Sequence, residues 1–250
     1  MEEAQAHIVV GAGPAATATA KALVSLGRRV VVADTGLTLE PEREAARRRM
    51  AAAAPADWSA EDVALTRFTA SGDEHGGYKR LFGSDIVFRD DGVLDVEAAG
   101  DIGARPSYAI GGLSNVWGSG LLPYRDADLD GWPIAAADLE PGYRAALEYL
   151  PYSGEEDELG ERYPYFRAPD GPLLRTATGQ AVLARLARHR AALARGGLHF
   201  GASRLAVRVG HPAPERGCVY CLHCLDGCPY GHIYSSAQTI DALARSGEID

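Results

Sequence analysis

The stretch His7-Ile8-Val9-Val10 runs directly into Gly11-Ala12-Gly13-Pro14-Ala15-Ala16, and a helical stretch to Leu26 follows. Gly27 stops that helix, because glycine takes the positive φ of a helix C′ position without a Cβ penalty. A second apolar run, Val30 to Ala33, ends at Asp34, 23 positions after Gly11. Strand, glycine turn, helix, strand and acid in that order commit the N-terminus to a βαβ unit. Both apolar runs are continuous rather than alternating, which predicts strands covered on both faces within a parallel sheet.

The residue types at these positions suit a dinucleotide. Gly11 permits the tight turn, Gly13 lets the backbone approach a pyrophosphate, and Ala16 allows the helix to pack closely on the sheet. The helix N-terminus at Pro14, Ala15 and Ala16 offers phosphates its partial positive charge, together with the free N–H groups of Ala15 and Ala16. Asp34 suits the two ribose hydroxyls and disfavours a 2′-phosphate, so NADP is not the expected ligand. The loop by itself leaves FAD and NAD open.

Composition limits the partners. The formal charge of −9 disfavours nucleic acid and anionic membranes, and no run approaches the ~20 apolar residues of a membrane span. The N-terminal residues carry neither a basic start nor an apolar signal core, which predicts a cytoplasmic protein. Arg47-Arg48-Arg49 follows Glu40, Glu42 and Glu44 and reads as the solvated face of a helix.

Residues 40–70 read as helix interrupted near Pro55, and 71–112 as irregular, with turn signals at Gly76-Gly77 and Asp91-Gly92. Asp138 is placed to cap a helix carrying Leu139, Tyr143, Leu147 and Leu150 on one face. The proline-rich, acidic stretch 151–176 reads as an exposed connection. A helix over about 177–195, buried through Val182, Leu183, Leu186 and Leu193, ends at Gly196-Gly197. Alternation of Leu205, Val207 and Val209 with Ala206 and Arg208 predicts a half-buried strand.

A second glycine segment reads Gly111-Gly112-Leu113-Ser114-Asn115-Val116-Trp117-Gly118. It is followed by Asp128, then Trp132-Pro133-Ile134, then Asp138-Leu139-Glu140-Pro141 with Tyr143, and much later by Gly227-Cys228-Pro229-Tyr230-Gly231. With these motifs, in this order from Ile8 to Leu243, the chain resembles the glucose–methanol–choline oxidoreductases, in particular their bacterial dehydrogenase branch. The resemblance implies a Rossmann-like α/β fold of the three-layer ββα type, incomplete in its C-terminal part, with FAD in the first site. It also implies that Gly111, Gly112, Ser114 and Asn115 approach the isoalloxazine or the pyrophosphate. Glycines suit that place because a flat ring can lie against backbone that lacks Cβ. For Trp117 a packing role is expected.

Two departures qualify the resemblance. Members of the family are usually much longer, and their catalytic histidine lies in a region beyond Asp250. None of His7, His75, His189, His199, His211, His223 and His232 falls at such a position. No catalytic base is assigned, and the chain is expected to be truncated or completed by a second polypeptide. The expected division is an FAD-binding domain over 1–165 and its continuation over 166–250.

All four cysteines lie in Cys218-x₂-Cys221-x₂-Cys224-x₃-Cys228-Pro229, the spacing of bacterial ferredoxins. Clustered thiols in a reducing compartment point to a metal or cluster site, and soft sulfur ligands suit iron–sulfur chemistry. Zinc, inert packing thiols and disulfides are competing readings. A three-iron cluster on Cys218, Cys224 and Cys228 is a further reading, implied by the resemblance, and His223 reads as a bystander. The combined expectation is an FAD-dependent dehydrogenase acting on CH–OH groups of an alcohol or sugar. Its electrons would pass to an external acceptor, a protein or a quinone. The alternative is a non-catalytic FAD/iron–sulfur electron-transfer subunit that needs a second chain.

Overall fold

The computed structural model describes residues 5–67, 79–89, 106–210 and 217–250. The turn signals at Gly76-Gly77 and Asp91-Gly92 lie outside the described residues. The chain forms two compact units, Met1–Gly118 with Val219–Asp250, and Ser119–Cys218. Position 165, the expected division, lies inside the second unit.

The first unit is mixed α/β and starts as the βαβ pattern requires. Strand β1 (His7–Val10) pairs in parallel with β2 (Val30–Ala33), His7 opposite Val30 and Val10 opposite Ala33, and helix α1 (Pro14–Ser25) connects them. Gly27, at φ 67°, donates its N–H to Val24 O, and Arg28 donates to Leu23 O, which closes α1 as anticipated. Helix α2 (Pro41–Ala51) and the short α3 (Ala60–Thr66) follow, the latter capped by Ser59 and separated from α2 by a 3-10 turn at Pro55–Asp57. The arginine run is more engaged than a solvated face. Arg47 is half-buried, bound to Glu44 and donating to Pro229 O at 3.2 Å, while Arg49 pairs with the buried Asp62.

The sheet differs from expectation in one respect. Val9 and Val30 are buried with Ala20, Leu243 and Ile249, but Ile8 and Val10 are 70% and 82% exposed. Alternate β1 residues point to opposite faces, and among the described residues only one face is covered. The covering layer is α1 together with a C-terminal helix, Ser236–Ser246, whose Leu243 and Ile240 reach the same core. Each such buried aliphatic side chain contributes about 1.5–3 kcal/mol. Asp250 accepts from Val32 N at 2.9 Å and donates to Val30 O at 3.0 Å, which sets it alongside β2 in parallel pairing.

The second unit carries α4 (Ala136–Leu147), α5 (Ala177–Arg188) and α6 (Arg190–Arg195). Asp138 is three residues inside α4 rather than at its cap, and accepts from Ala135 N at 2.9 Å, so it still serves an orphan amide. The single helix expected over 177–195 breaks at His189, and none of its apolar residues is fully buried, with Val182 52% exposed. The stretch 151–176 is not a loose connection. Tyr152 and Ser153 are buried, Ser153 and Leu205 exchange backbone bonds of 2.9 and 3.0 Å, and Asp170 receives the Tyr152 N–H. Among the described residues, Leu205 makes isolated bridges only, and Ala206 and Val207 are both buried, so the alternating pattern does not form a regular strand.

The C-terminal helix Ser236–Ser246 is α7, and Ser235 caps it.

Candidate functional site

β1 ends in a turn whose first residue, Gly11, takes φ 88° and donates to Ala33 O at 2.7 Å. Few residues other than glycine adopt that conformation at low cost. Gly13 is the N-cap of α1 and Pro14 its first helical residue, a position where a missing N–H costs nothing. Among the described residues, no side chain caps this helix. Among the described residues, a Cβ at Gly11 or Gly13 would meet nothing within 4 Å, so open space adjoins the turn at these two positions. Ala16 packs onto the core cluster of Val9 and Val30, the close approach its small side chain was expected to allow.

Asp34 follows β2 directly and is exposed, with Oδ1 accepting from Gly36 N at 2.9 Å. That bond fixes the turn after β2 and occupies one face of one carboxylate oxygen. The neighbouring Thr35 donates through Oγ1 to Tyr108 O at 2.5 Å, and Ile110 N donates to Leu37 O at 2.9 Å. The loop after β2 is thereby tied to the approach of the second glycine segment.

That segment turns sharply at Gly111 (φ 91°) and Gly112 (φ 54°) before a single 3-10 turn over Gly112–Asn115. A Cβ on Gly112 would stand 3.5 Å from the Cα of Gly13. The two glycine segments, about a hundred positions apart in sequence, therefore lie backbone to backbone. Gly111 has a different duty. Its Cβ position is 2.9 Å from both Ala237 Cβ and Ser235 Oγ, so glycine there admits the start of α7.

Ser114 and Asn115 spend their side chains inside the protein. Ser114 donates to Gly111 O at 2.5 Å, and the Asn115 amide donates to Ile110 O and Gly112 O, both at 2.9 Å. Asn115 Oδ1 accepts from Ser235 Oγ at 2.7 Å. Trp117 donates through its indole N–H to Tyr234 O at 2.8 Å. Sequence reasoning missed Ser235 and Ser236, which complete this network. A Ser-Ser pair ahead of a helical run is an N-cap signal, and it was legible in that limited sense.

The cysteine segment divides between the units. Cys218 closes the second, where its N–H donates to Arg208 O at 3.0 Å, and Cys221, Cys224 and Cys228 belong to the first. The segment is fastened by other groups. Buried His223 places Nε2 3.2 Å from Thr66 Oγ1 and meets the Trp58 ring edge-on. Burial holds its imidazole below the ordinary histidine range, against the pull of Asp226. Phe82 N donates to Asp226 O at 2.5 Å, and the Phe82 ring fills the place of a Gly227 side chain. Cys228 Sγ accepts from His232 N at 3.3 Å. Burial likewise pushes the Lys79 ammonium down, opposed by Cys224, Cys228 and Asp226.

Among the described residues, no three His, Cys, Asp or Glu side chains converge as a metal ion would require. Thiolates at the corners of one cluster must share a centre, so this arrangement does not fit an assembled iron–sulfur or zinc site. Tyr220 and Leu222 hold left-handed backbone at φ 56° and 62°, and Leu222 and Leu225 stand in solvent.

Among the described residues, no helix is long and apolar enough to cross a membrane. In comparisons with known proteins, no family model and no curated protein matches this chain, so the likeness to glucose–methanol–choline oxidoreductases rests on the motifs alone.

Proposed function

We propose that the first unit binds FAD and that the chain is part of a flavin-dependent dehydrogenase acting on CH–OH groups of an alcohol or sugar. The observation that carries this reading is the meeting of two glycine segments, Gly112 against Gly13, beside open space at an uncapped helix N-terminus. Free amides and the positive end of α1 suit a diphosphate. The Asp34 carboxylate, at the end of the adjacent strand, suits a ribose. Bare backbone at Gly11 and Gly13 admits a flat or charged group that a Cβ would exclude.

When bound, FAD supplies the two-electron acceptor for oxidation of a carbinol. The chain's own part is to hold the adenosine diphosphate half through Gly11, Gly13, Ala15, Ala16 and Asp34. Ser114 and Asn115 contribute by shaping the second segment, whose backbone faces the first. No residue of the chain is assigned to take the hydroxyl proton. The three-layer ββα architecture, the alcohol or sugar substrate and the external electron acceptor all rest on the resemblance. The cysteine segment is given no step in this reading, since among the described residues no three His, Cys, Asp or Glu side chains converge.

Titration of the purified 250-residue chain with FAD and with NAD tests the reading. Saturable FAD binding, with the flavin's visible absorption retained on the protein after gel filtration, is expected. Absence of FAD binding, or clear preference for NAD, would overturn it. Reduction of an artificial dye by a panel of alcohols and sugars, with FAD supplied, tests the substrate class separately.

A further inference from the structure

Ser236, fully buried in the first turn of α7, has an oxygen within hydrogen-bond reach of three groups: Ala12 O at 2.9 Å, Gly111 O at 3.0 Å and Ser114 Oγ at 2.9 Å. A hydroxyl has one proton to donate, so counting protons decides where it goes. Ser114 sits closest to Gly111 O, at 2.5 Å, and gives its proton there. The Ser114 oxygen meanwhile accepts the Ser236 N–H at 2.9 Å. Ala12 is buried, and besides Ser236 its carbonyl is approached by Thr17 Oγ1 at a longer 3.4 Å. The assignment that leaves no buried carbonyl without a good donor sends the Ser236 proton to Ala12 O.

That bond has a consequence on the other side of the same peptide. The Ala12–Gly13 peptide is planar and trans, so its C=O and N–H point in opposite directions. With the carbonyl drawn inward to α7, the Gly13 N–H on the other side of the peptide is turned the opposite way, away from α7. We infer that Ser236 is a positioning residue for the diphosphate: it fixes the peptide plane that aims the Gly13 amide at the ligand. This inference rests on the FAD reading above. It also explains why α7 is seated so tightly on the second glycine segment, where Gly111 leaves room for Ser235 and Ala237.

The test compares three ligands on the wild-type chain and on Ser236→Ala: FAD, ADP and adenosine. Loss of the aimed amide should weaken FAD and ADP by roughly five- to tenfold, the worth of about one neutral hydrogen bond. Adenosine has no phosphate, and its weaker binding should not change. Equal weakening of all three ligands would mean general loosening and would overturn the inference, as would unchanged FAD and ADP affinity. Should Ser236→Ala fail to fold by circular dichroism, Ser236→Cys keeps the shape with a weaker donor. It should show a smaller loss confined to FAD and ADP, judged by the same criteria. A wild-type chain that binds neither FAD nor ADP would instead remove the functional reading itself, and this inference with it.

Discussion

Gly13 and Gly111 both belong to the candidate site, and replacing each with alanine should have opposite effects on stability. At Gly13 the backbone has φ −71° and ψ 177°, ordinary extended geometry, and a Cβ would meet nothing within 4 Å. Alanine there restricts the unfolded chain without straining the folded one, so Gly13→Ala should leave stability unchanged or raise it by up to about 1 kcal/mol. At Gly111 the backbone has φ 91°, and the new methyl would lie 2.9 Å from Ala237 Cβ and 3.0 Å from Ala237 N. Left-handed backbone costs alanine about 1–2 kcal/mol, and overlap with packed neighbours about 1–3 kcal/mol more, so Gly111→Ala should lose roughly 2–5 kcal/mol. Urea denaturation followed by circular dichroism measures both. FAD titration then separates the roles. Gly13→Ala should bind at least about tenfold more weakly despite its intact fold, because the methyl occupies space a phosphate needs. Two variants equally destabilised, or a Gly13→Ala protein that binds FAD like wild type, would refute this division of labour.

Asp34→Ala should cut FAD affinity roughly ten- to hundredfold, the worth of charge-assisted hydrogen bonds, with little loss of stability because the residue is exposed; fluorescence titration checks it, and unchanged affinity would remove Asp34 from the site. In the second unit, the Arg167 guanidinium, with help from the Tyr152 N–H, holds the Asp170 carboxyl below its ordinary value of 3.8. A folded value below the unfolded one means the stabilisation is complete above the unfolded value and is lost as the pH falls through the folded one. Asp170→Asn should therefore cost about 0.5–1 kcal/mol at neutral pH, with its deficit against wild type closing below about pH 4 in denaturant titrations; a deficit of equal size at both pH values would contradict this origin. Leu222, 90% exposed at φ 62°, should gain about 0.5–1 kcal/mol on replacement by asparagine, which tolerates left-handed backbone. A thermal midpoint lowered by Leu222→Asn would show that the leucine side chain is needed where it stands.

The features legible in the sequence are those whose cause is local. A β-strand, a glycine at positive φ, a proline at the first helical position and a C′ glycine each act within a few residues, and β1, Gly11, Pro14 and Gly27 appear where read. The same holds for the interruption near Pro55 between α2 and α3. Where the cause is distant, the reading was incomplete. Continuous apolar character in β1 suggested two covered faces, yet coverage depends on what else packs there, and Ile8 and Val10 are left exposed. The stretch 151–176 has the composition of a loop, but its partners are Leu205 and Ala202, some 45 to 52 positions further on. Gly111 looked like Gly112, and only the position of α7 separates a glycine that makes room for a helix from one that lies against Gly13.

The cysteine segment and the glycine segments show how differently two motifs can relate to a fold. Around Gly11–Gly13 and Gly111–Asn115, neighbouring side chains are committed to holding the backbone in place: Ser114, Asn115, Ser235 and Ser236 all bond within the protein. These segments are held in place without a ligand, so binding there need not supply their ordering. Around Cys218–Cys228 the committed groups are His223, Gly227 and the backbone of Asp226, and among the described residues no three metal-ligating side chains converge. Spacing along the chain states which ligands are near in sequence, and convergence states which are near in space. The glycine motifs meet both conditions in this molecule and the cysteine motif meets only the first, which is why the functional reading is built on the former.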